Sequence, residues 1–333
     1  MNTQMRPGVG RKADARPKMR AAVLIAPRTI ELQDVPVPAP GPGEVRVRLK
    51  GCGVCASNVP PWQGPDWMQF PTQPGGMGHE GWGVVDAVGR DVRQLREGDP
   101  VTTLFQNSYA EFDVGPASQV VRLPPSLQDV SLPGEPLGCA VNVVRRAAIQ
   151  PGQTIAVVGL GFLGLLIVRL SVLAGASVIA IARKEEARMR ALDLGASMAI
   201  SPEDAPVAAQ ARAESGLFDC VIEATGHQDP LDLAARLTAT RGRLVIAGYH
   251  QDGPRQVDMQ LWNWRGIDVI NAHEREPSVY IEGIREAVAL VAEGRLAPEP
   301  LFTHRLPLER LNEALHLTAT RPSGFVKSLV VNP

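Results

Sequence analysis

The chain has 333 residues, 44% hydrophobic and 21% charged, a length that suits about two domains of the usual ~100–200 residues. Its formal net charge of -1 argues against nucleic acid or a membrane surface as partner, since both favour a strong basic excess. With no apolar run near the roughly 18 residues of a membrane helix, no signal-like apolar core at the N-terminus and too few cysteines for a disulfide framework, a cytoplasmic protein with free thiols or metal-ligating cysteines is expected.

Residues 1–18 carry Arg6, Arg11, Lys12, Arg16 and Lys18 with almost no large apolar side chain, so they read as a disordered leader. From Met19 onward short β-like runs, Ala21 to Ala26 and Glu44 to Lys50, are separated by Pro36, Pro38, Pro40 and Pro42, the pattern of a small β-rich domain. Two glycine-loosened loops follow: Gly51–Asn58 carries Cys55 and Ser57, and Gly78–Gly81 carries His79 and Glu80. A third polar group, Glu135 and Cys139, lies in Gly134–Cys139. Thiolate, imidazole and carboxylate all suit zinc, and a catalytic zinc needs three protein ligands and one open position. These groups lie far apart in sequence and can meet only through the fold. Cys52 and Cys55 also form a CxxC without a second such pair, which argues against a structural zinc ribbon and leaves a redox pair open. Trp62, Trp67 and Phe70, close behind the Cys55 loop, are candidate pocket walls or core.

The stretch Thr154–Gly164 passes from an apolar β-branched run through Gly159, Gly161 and Gly164 into an apolar helix. This is the glycine fingerprint of a dinucleotide fold: Gly159 permits the tight turn, Gly161 lets a pyrophosphate approach and Gly164 lets the helix pack closely. Free N–H groups at the helix start, Phe162 and Leu163 among them, face the phosphates. A helix to Ala174, a stop at Gly175 and a strand from Ser177 to Ala182 complete a βαβ unit. Where an NAD site carries an acidic residue at the end of that second strand, this chain has Ala182 followed by Arg183 and Lys184, which predicts NADP(H) over NAD(H). Strand-like runs at 218–224, 243–248 and 267–271, with helical patterns at 185–194 and 231–237, extend a doubly wound parallel sheet. Thr225, Gly248 and Tyr249 stand at strand ends suited to cofactor contact, and Cys220 reads as core. A helical pattern over 281–292 and β-like runs at 301–306 and 325–331 return the tail to the first domain. Lys327 in the last run is either a pyrophosphate contact or a solvated lysine.

Gly53-Val-Cys55-Ala-Ser57, Gly78-His-Glu80, Gly98-Asp99-Pro-Val101, Glu135-Pro-Leu-Gly-Cys139, Gly159-Leu-Gly-Phe-Leu-Gly164 and Glu223-Ala-Thr-Gly226, in that order, resemble the zinc-containing medium-chain dehydrogenase/reductase family. The resemblance covers nearly the whole chain from Met19. It implies an α/β fold, with a GroES-like β-rich catalytic domain from residues 19–140 and 273–333 around a Rossmann domain at 141–272, assembled as a homodimer or homotetramer. It implies Cys55 and His79 as zinc ligands, Glu80 binding or standing beside the metal, and either Glu135, as in polyol and threonine dehydrogenases, or Cys139, as in alcohol dehydrogenases, as the remaining ligand. The Glu-Pro-Leu-Gly context favours Glu135. The cysteine-rich lobe for a second, structural zinc is missing, so one metal per chain is expected. Asn58 stands in place of a frequent aspartate that orients the zinc-bound histidine and can itself orient His79 without the charge, and Pro60 replaces a relay histidine, so that beyond Ser57 the proton would pass through ribose hydroxyl and water. The implied reaction is hydride transfer between NADP(H) and an alcohol or polyol or the corresponding carbonyl. Alternatives are a zinc-free quinone or enoyl reductase of the same fold and a non-catalytic nucleotide-binding protein.

Overall fold

The computed structural model describes residues 17–212 and 217–333, the side chains of 209–212 excepted. Most of the expected leader lies outside the described residues, but Lys18 belongs to a strand. β1 (Lys18–Ala26) pairs antiparallel with β2 (Thr29–Pro36), and its apolar residues from Ala21 to Leu24 are buried. Such burial orders a segment whose polar charge pattern alone would leave it loose.

β3 (Glu44–Gly53) alternates Val45, Val47 and Leu49 inward, the period of a strand with one face on a core. A one-turn helix α1 (Val59–Gln63) follows, then β4 (Gly81–Val88), β5 (Pro100–Thr103), β6 (Phe112–Pro116) and β7 (Val120–Arg122). These five strands belong to one sheet, with β3 paired antiparallel to both β4 and β6.

α2 (Gly134–Ala147) leads into a second sheet. Along the chain come β8 (Thr154–Val158), α3 (Phe162–Leu173), β9 (Ser177–Ile181), α4 (Glu185–Asp193), β10 (Met198–Ile200) and α5 (Ala205–Arg212). They are followed by β11 (Phe218–Glu223), α6 (Gln228–Leu237), β12 (Thr238–Ile246), α7 (Met259–Arg265) and β13 (Asp268–Asn271). The strands run parallel in the order β10-β9-β8-β11-β12-β13. Order reverses between β8 and β11, the switch point outside whose carboxyl ends such sheets bind ligands. Ile155–Val158 and Val178–Ile181 are buried throughout, as strands covered on both faces must be.

α8 (Pro277–Ala292), β14 (His304–Pro307), α9 (Leu311–Thr320) and β15 (Ser328–Val331) close the chain. β15 pairs antiparallel with β3 and parallel with β14, so the tail completes a seven-stranded sheet with the first part of the chain. Between the sheets α2 and α8 pack at backbone distance. A Cβ on Gly138 would stand 2.6 Å from the Ile284 side chain and 2.8 Å from its backbone nitrogen, and one on Gly283 would meet Asn142 at 2.6 Å. Among the described residues no helix is long and apolar enough to cross a membrane.

Candidate metal and dinucleotide site

Cys55 precedes a single 3-10 turn, Ala56–Asn58, while His79 and Glu80 lead directly into β4. The turn and the strand start bring Cys55, His79 and Glu80 together, with one ligand atom from each lying within 4.8 Å of the others. Gly53 makes this possible, since a Cβ there would stand 1.8 Å from Glu80 Oε2. Met77, in the left-handed region at φ 73°, turns its carbonyl back to accept from His79 Nδ1 at 2.9 Å. A carbonyl only accepts, so Nδ1 carries the proton and Nε2 is left for the cluster. Asn58 makes no hydrogen bond to His79: its Nδ2 donates to the same Met77 carbonyl at 2.9 Å, and its Oδ1 accepts from Tyr109 Oη at 2.7 Å. The histidine is thus oriented by a neutral carbonyl that Asn58 anchors.

Glu80 is wholly buried. Its Oε1 accepts from Lys327 Nζ at 2.6 Å, and its Oε2 has no hydrogen-bond partner. Lys327, expected as a pyrophosphate contact or a solvated lysine, is instead a buried counter-charge, with Nζ also 5.1 Å from the Phe162 ring centroid. The sequence hid this because Glu80 and Lys327 lie 247 positions apart and meet only when β15 joins β3.

Glu135 and Cys139 lie one turn apart on α2, as side chains four residues apart do on one helix face. Tyr280 of α8, which sequence reasoning missed, stands beside both. Burial pushes the Glu135 carboxyl up, with Glu80 adding to the effect and His79 opposing it. Burial likewise pushes up the Cys139 thiol and the Tyr280 hydroxyl, and Glu135 adds to both. For His79 burial disfavours the proton, but Cys55, Glu135 and Glu80 outweigh it and push the ring up to about 10. Sulfur, imidazole and carboxylate donors, with one carboxylate oxygen left unpartnered among them, fit a borderline-soft divalent cation. Cys52 is different in kind: it is fully buried in β3, and burial raises its thiol well above the usual range. Ser57 is half-buried two residues after Cys55. Of the three aromatic residues behind that loop, Trp62 is core, with its indole nitrogen bonded to Asn312 Oδ1 at 2.8 Å, Phe70 packs on the same core, and Trp67 is exposed.

At the glycine turn Gly159 has φ 102°, and a Cβ there would meet the Thr225 methyl at 2.4 Å. A Cβ on Gly164 would stand 1.9 Å from the Gly159 carbonyl oxygen, whereas one on Gly161 would meet nothing within 4 Å. The first N–H groups of α3 have no intrahelical acceptor, so they and the open space over Gly161 form an anion-binding cradle. Phe162 and Leu163 enter through those N–H groups: the Phe162 ring is buried against Phe302 at 5.6 Å and Leu163 packs on the core.

Arg183 is exposed, and no acidic side chain among the described residues pairs with it. Lys184 is engaged: its Nζ donates to the carbonyls of Arg321 at 2.5 Å and Pro322 at 3.4 Å. Glu186 accepts from Ser323 Oγ at 2.9 Å and Gly324 N at 2.8 Å, so the start of α4 clasps the turn after α9. Thr225, Gly248 and Tyr249 lie at the carboxyl ends of β11 and β12, where Tyr249 is exposed and stacks on His273 at 5.1 Å and 3°.

The zinc-binding dehydrogenase family matches residues 163–293, and the alcohol dehydrogenase GroES-like domain matches residues 41–125. The chain is 28% identical to sorbitol dehydrogenase of Gallus gallus, over 91% of this chain and 94% of that protein. It is similar to a zinc-binding dehydrogenase of Sinorhizobium meliloti 1021 solved bound to NADP, with 27% identity, a TM-score of 0.83 and coverage of 95% and 100%. Its fold is shared with an alcohol dehydrogenase of E. coli CFT073 complexed with NADH, at 24% identity, a TM-score of 0.84 and coverage of 95% and 99%.

Proposed function

Because the chain belongs to the zinc-containing medium-chain dehydrogenase/reductase family, we propose that it transfers a hydride between NADP(H) and a polyol or related alcohol, or the corresponding ketone or aldehyde. Residues 19–140 and 273–333 act as the catalytic unit and 141–272 as the nucleotide unit. The observation that carries this reading is Lys327, which pairs with Glu80 of the ligand cluster and lies over Phe162 at the first turn of α3. One side chain thereby joins the metal-ligating group to the dinucleotide cradle.

Cys55, His79 and a carboxylate or thiolate from Glu80, Glu135 or Cys139 would hold zinc, and that ion would supply Lewis acidity to a substrate oxygen while the nicotinamide supplies or accepts the hydride. Met77 keeps His79 in the tautomer that offers Nε2. Lys327 holds Glu80 fixed. Ser57 passes the oxygen's proton to or from solvent. Tyr280 holds Glu135 and Cys139 in place from α8, and the closely packed α2 and α8 keep that arrangement rigid. Arg183 receives the 2′-phosphate that distinguishes NADP(H). Support for the polyol class comes from the likeness to sorbitol dehydrogenase, and for NADP(H) from the NADP-bound relative. Self-association uses β13, an edge strand on which Val269 is exposed, the kind of edge that a second copy covers.

The test compares wild type with Cys55→Ala. Wild type is expected to contain stoichiometric zinc and to show carbonyl-dependent loss of NADPH absorbance, and the variant to lose both while still binding NADPH. A variant that retains zinc and turnover refutes the ligand assignment.

A further inference from the structure

At the other end of the sheet a buried carboxylate gathers two turns. Glu223, at the end of β11, is wholly buried. Its Oε1 accepts from Thr225 N at 2.5 Å, from Gly226 N at 2.9 Å and from Thr225 Oγ1. Its backbone carbonyl accepts from Ala247 N at 2.8 Å and Gly248 N at 2.9 Å. The remaining oxygen, Oε2, lies 3.0 Å from His250 Nε2. Arg255 Nε donates to His250 Nδ1 at 2.8 Å. A guanidinium has no acceptor, so His250 Nδ1 must offer its lone pair, and the ring proton sits on Nε2, directed at Glu223. Arg255 also donates to the Gly226 carbonyl at 2.8 Å and pairs with Asp252. Carboxylate, imidazole and guanidinium thus form one chain that stitches the turn after β11 to the turn after β12.

The backbones so joined leave no slack. A Cβ on Gly248 would stand 2.2 Å from Gly226 N, and one on Gly226 would stand 2.6 Å from the Tyr249 carbonyl oxygen. Between these fixed points Tyr249 projects its exposed ring onto His273. In a doubly wound sheet each half takes one mononucleotide. Arg183 marks the half around β8 to β10 as the adenosine side, so the turns after β11 and β12 serve the nicotinamide side.

We infer that Glu223, His250 and Arg255 are positioning residues that fix the Thr225–Gly226 and Gly248–Tyr249 turns as the seat of the nicotinamide half of the dinucleotide. The inference rests on the dinucleotide reading above. Neither His250 nor Arg255 needs to touch the cofactor. Their bonds set the relative height of the two turns.

The experiment measures NADPH binding by fluorescence titration, together with kcat, KM for NADPH and zinc content, for wild type, His250→Leu, His250→Gln and Arg255→Met. Glutamine can accept from Arg255 and donate to Glu223, whereas leucine can do neither. His250→Leu is expected to raise Kd and KM for NADPH by ~10- to 100-fold, the loss for removing hydrogen bonds to charged groups, with kcat within about 3-fold and zinc unchanged. His250→Gln should stay within about 3-fold of wild type. His250→Leu binding NADPH as wild type does, or His250→Gln binding no better than His250→Leu, overturns the positioning role. If His250→Leu does not fold, Arg255→Met decides by the same criteria, with weakened NADPH binding expected and unaltered binding overturning the role. Failure of wild type itself to bind any dinucleotide overturns the underlying reading instead, which separates the two failures.

Discussion

Lys327 Nζ donates to Glu80 Oε1 at 2.6 Å while Glu80 Oε2 stands without a hydrogen-bond partner, so one buried carboxylate is half neutralised by the protein and half available to a cation. Breaking such a pair from one side strands a buried charge. Lys327→Met is expected to lower the unfolding free energy of the EDTA-treated protein by about 3–5 kcal/mol, read from urea unfolding. Adding Glu80→Gln to the same chain should recover most of that loss. A single variant as stable as wild type would mean that the pair contributes nothing.

Gly161 and Gly164 separate ligand approach from packing. Gly161 has φ -77° and open space at its Cβ position, so Gly161→Ala should leave stability unchanged or raise it by about 0.4–1 kcal/mol. The added methyl stands where a pyrophosphate must approach, and NADPH binding should weaken by ~10-fold or more, about 1.4 kcal/mol. Gly164→Ala should destabilise the whole domain, since its methyl would overlap the Gly159 carbonyl. Calorimetry with and without NADPH distinguishes these results.

Arg183 and Lys184 are adjacent but not equivalent. Lys184 is held by the carbonyls of Arg321 and Pro322, whereas Arg183 is exposed. Arg183→Ala is therefore expected to weaken NADPH by ~10- to 100-fold and NADH little, and Lys184→Ala to weaken both cofactors by a similar, smaller factor through loss of the clasp. Equal weakening of both cofactors by Arg183→Ala refutes the 2′-phosphate assignment.

Asp113 supplies a pH signature outside the cluster of Cys55, His79 and Glu80. Burial pushes its carboxyl up to about 6 although Ser108, Val114 N and Asn107 N donate to it. Because the folded value exceeds the unfolded one, the folded state holds the extra proton between about pH 4 and pH 6. The contribution of this group to stability is fully present below about pH 4 and declines by about 3 kcal/mol as pH rises through 6. Urea unfolding across that range should show the decline in wild type minus Asp113→Asn, and a flat difference curve would contradict it.

Much of this architecture is written in local pattern. The runs Ile155–Val158 and Val178–Ile181 have no polar face and could only be central parallel strands, and the glycine spacing between them fixed the turn. Cys55, His79 and Glu80 were legible as residue types suited to zinc, though the distances among them were not. What the sequence concealed was pairing at long range. Nothing near Lys327 says that it is buried, nothing near Tyr280 says that α8 brings it to Glu135, and nothing near His250 reveals the carboxylate beneath it. Asn58 was legible as an orienting residue, but its action through the Met77 carbonyl depends on one left-handed residue that the sequence does not mark. β2 was missed because its side chains are at most half-buried, so its apolar residues carry little periodic signal.

The distance along the chain between Glu80 and Lys327 has a consequence during synthesis. At about 5–20 residues per second, the 247 positions between them take about 10–50 s to translate. Throughout that interval the nascent polypeptide holds the acidic partner without its basic one, and β3 without β15 beside it. The emerging β-domain must therefore wait, exposed or chaperoned, until the ribosome has finished the central nucleotide-binding unit.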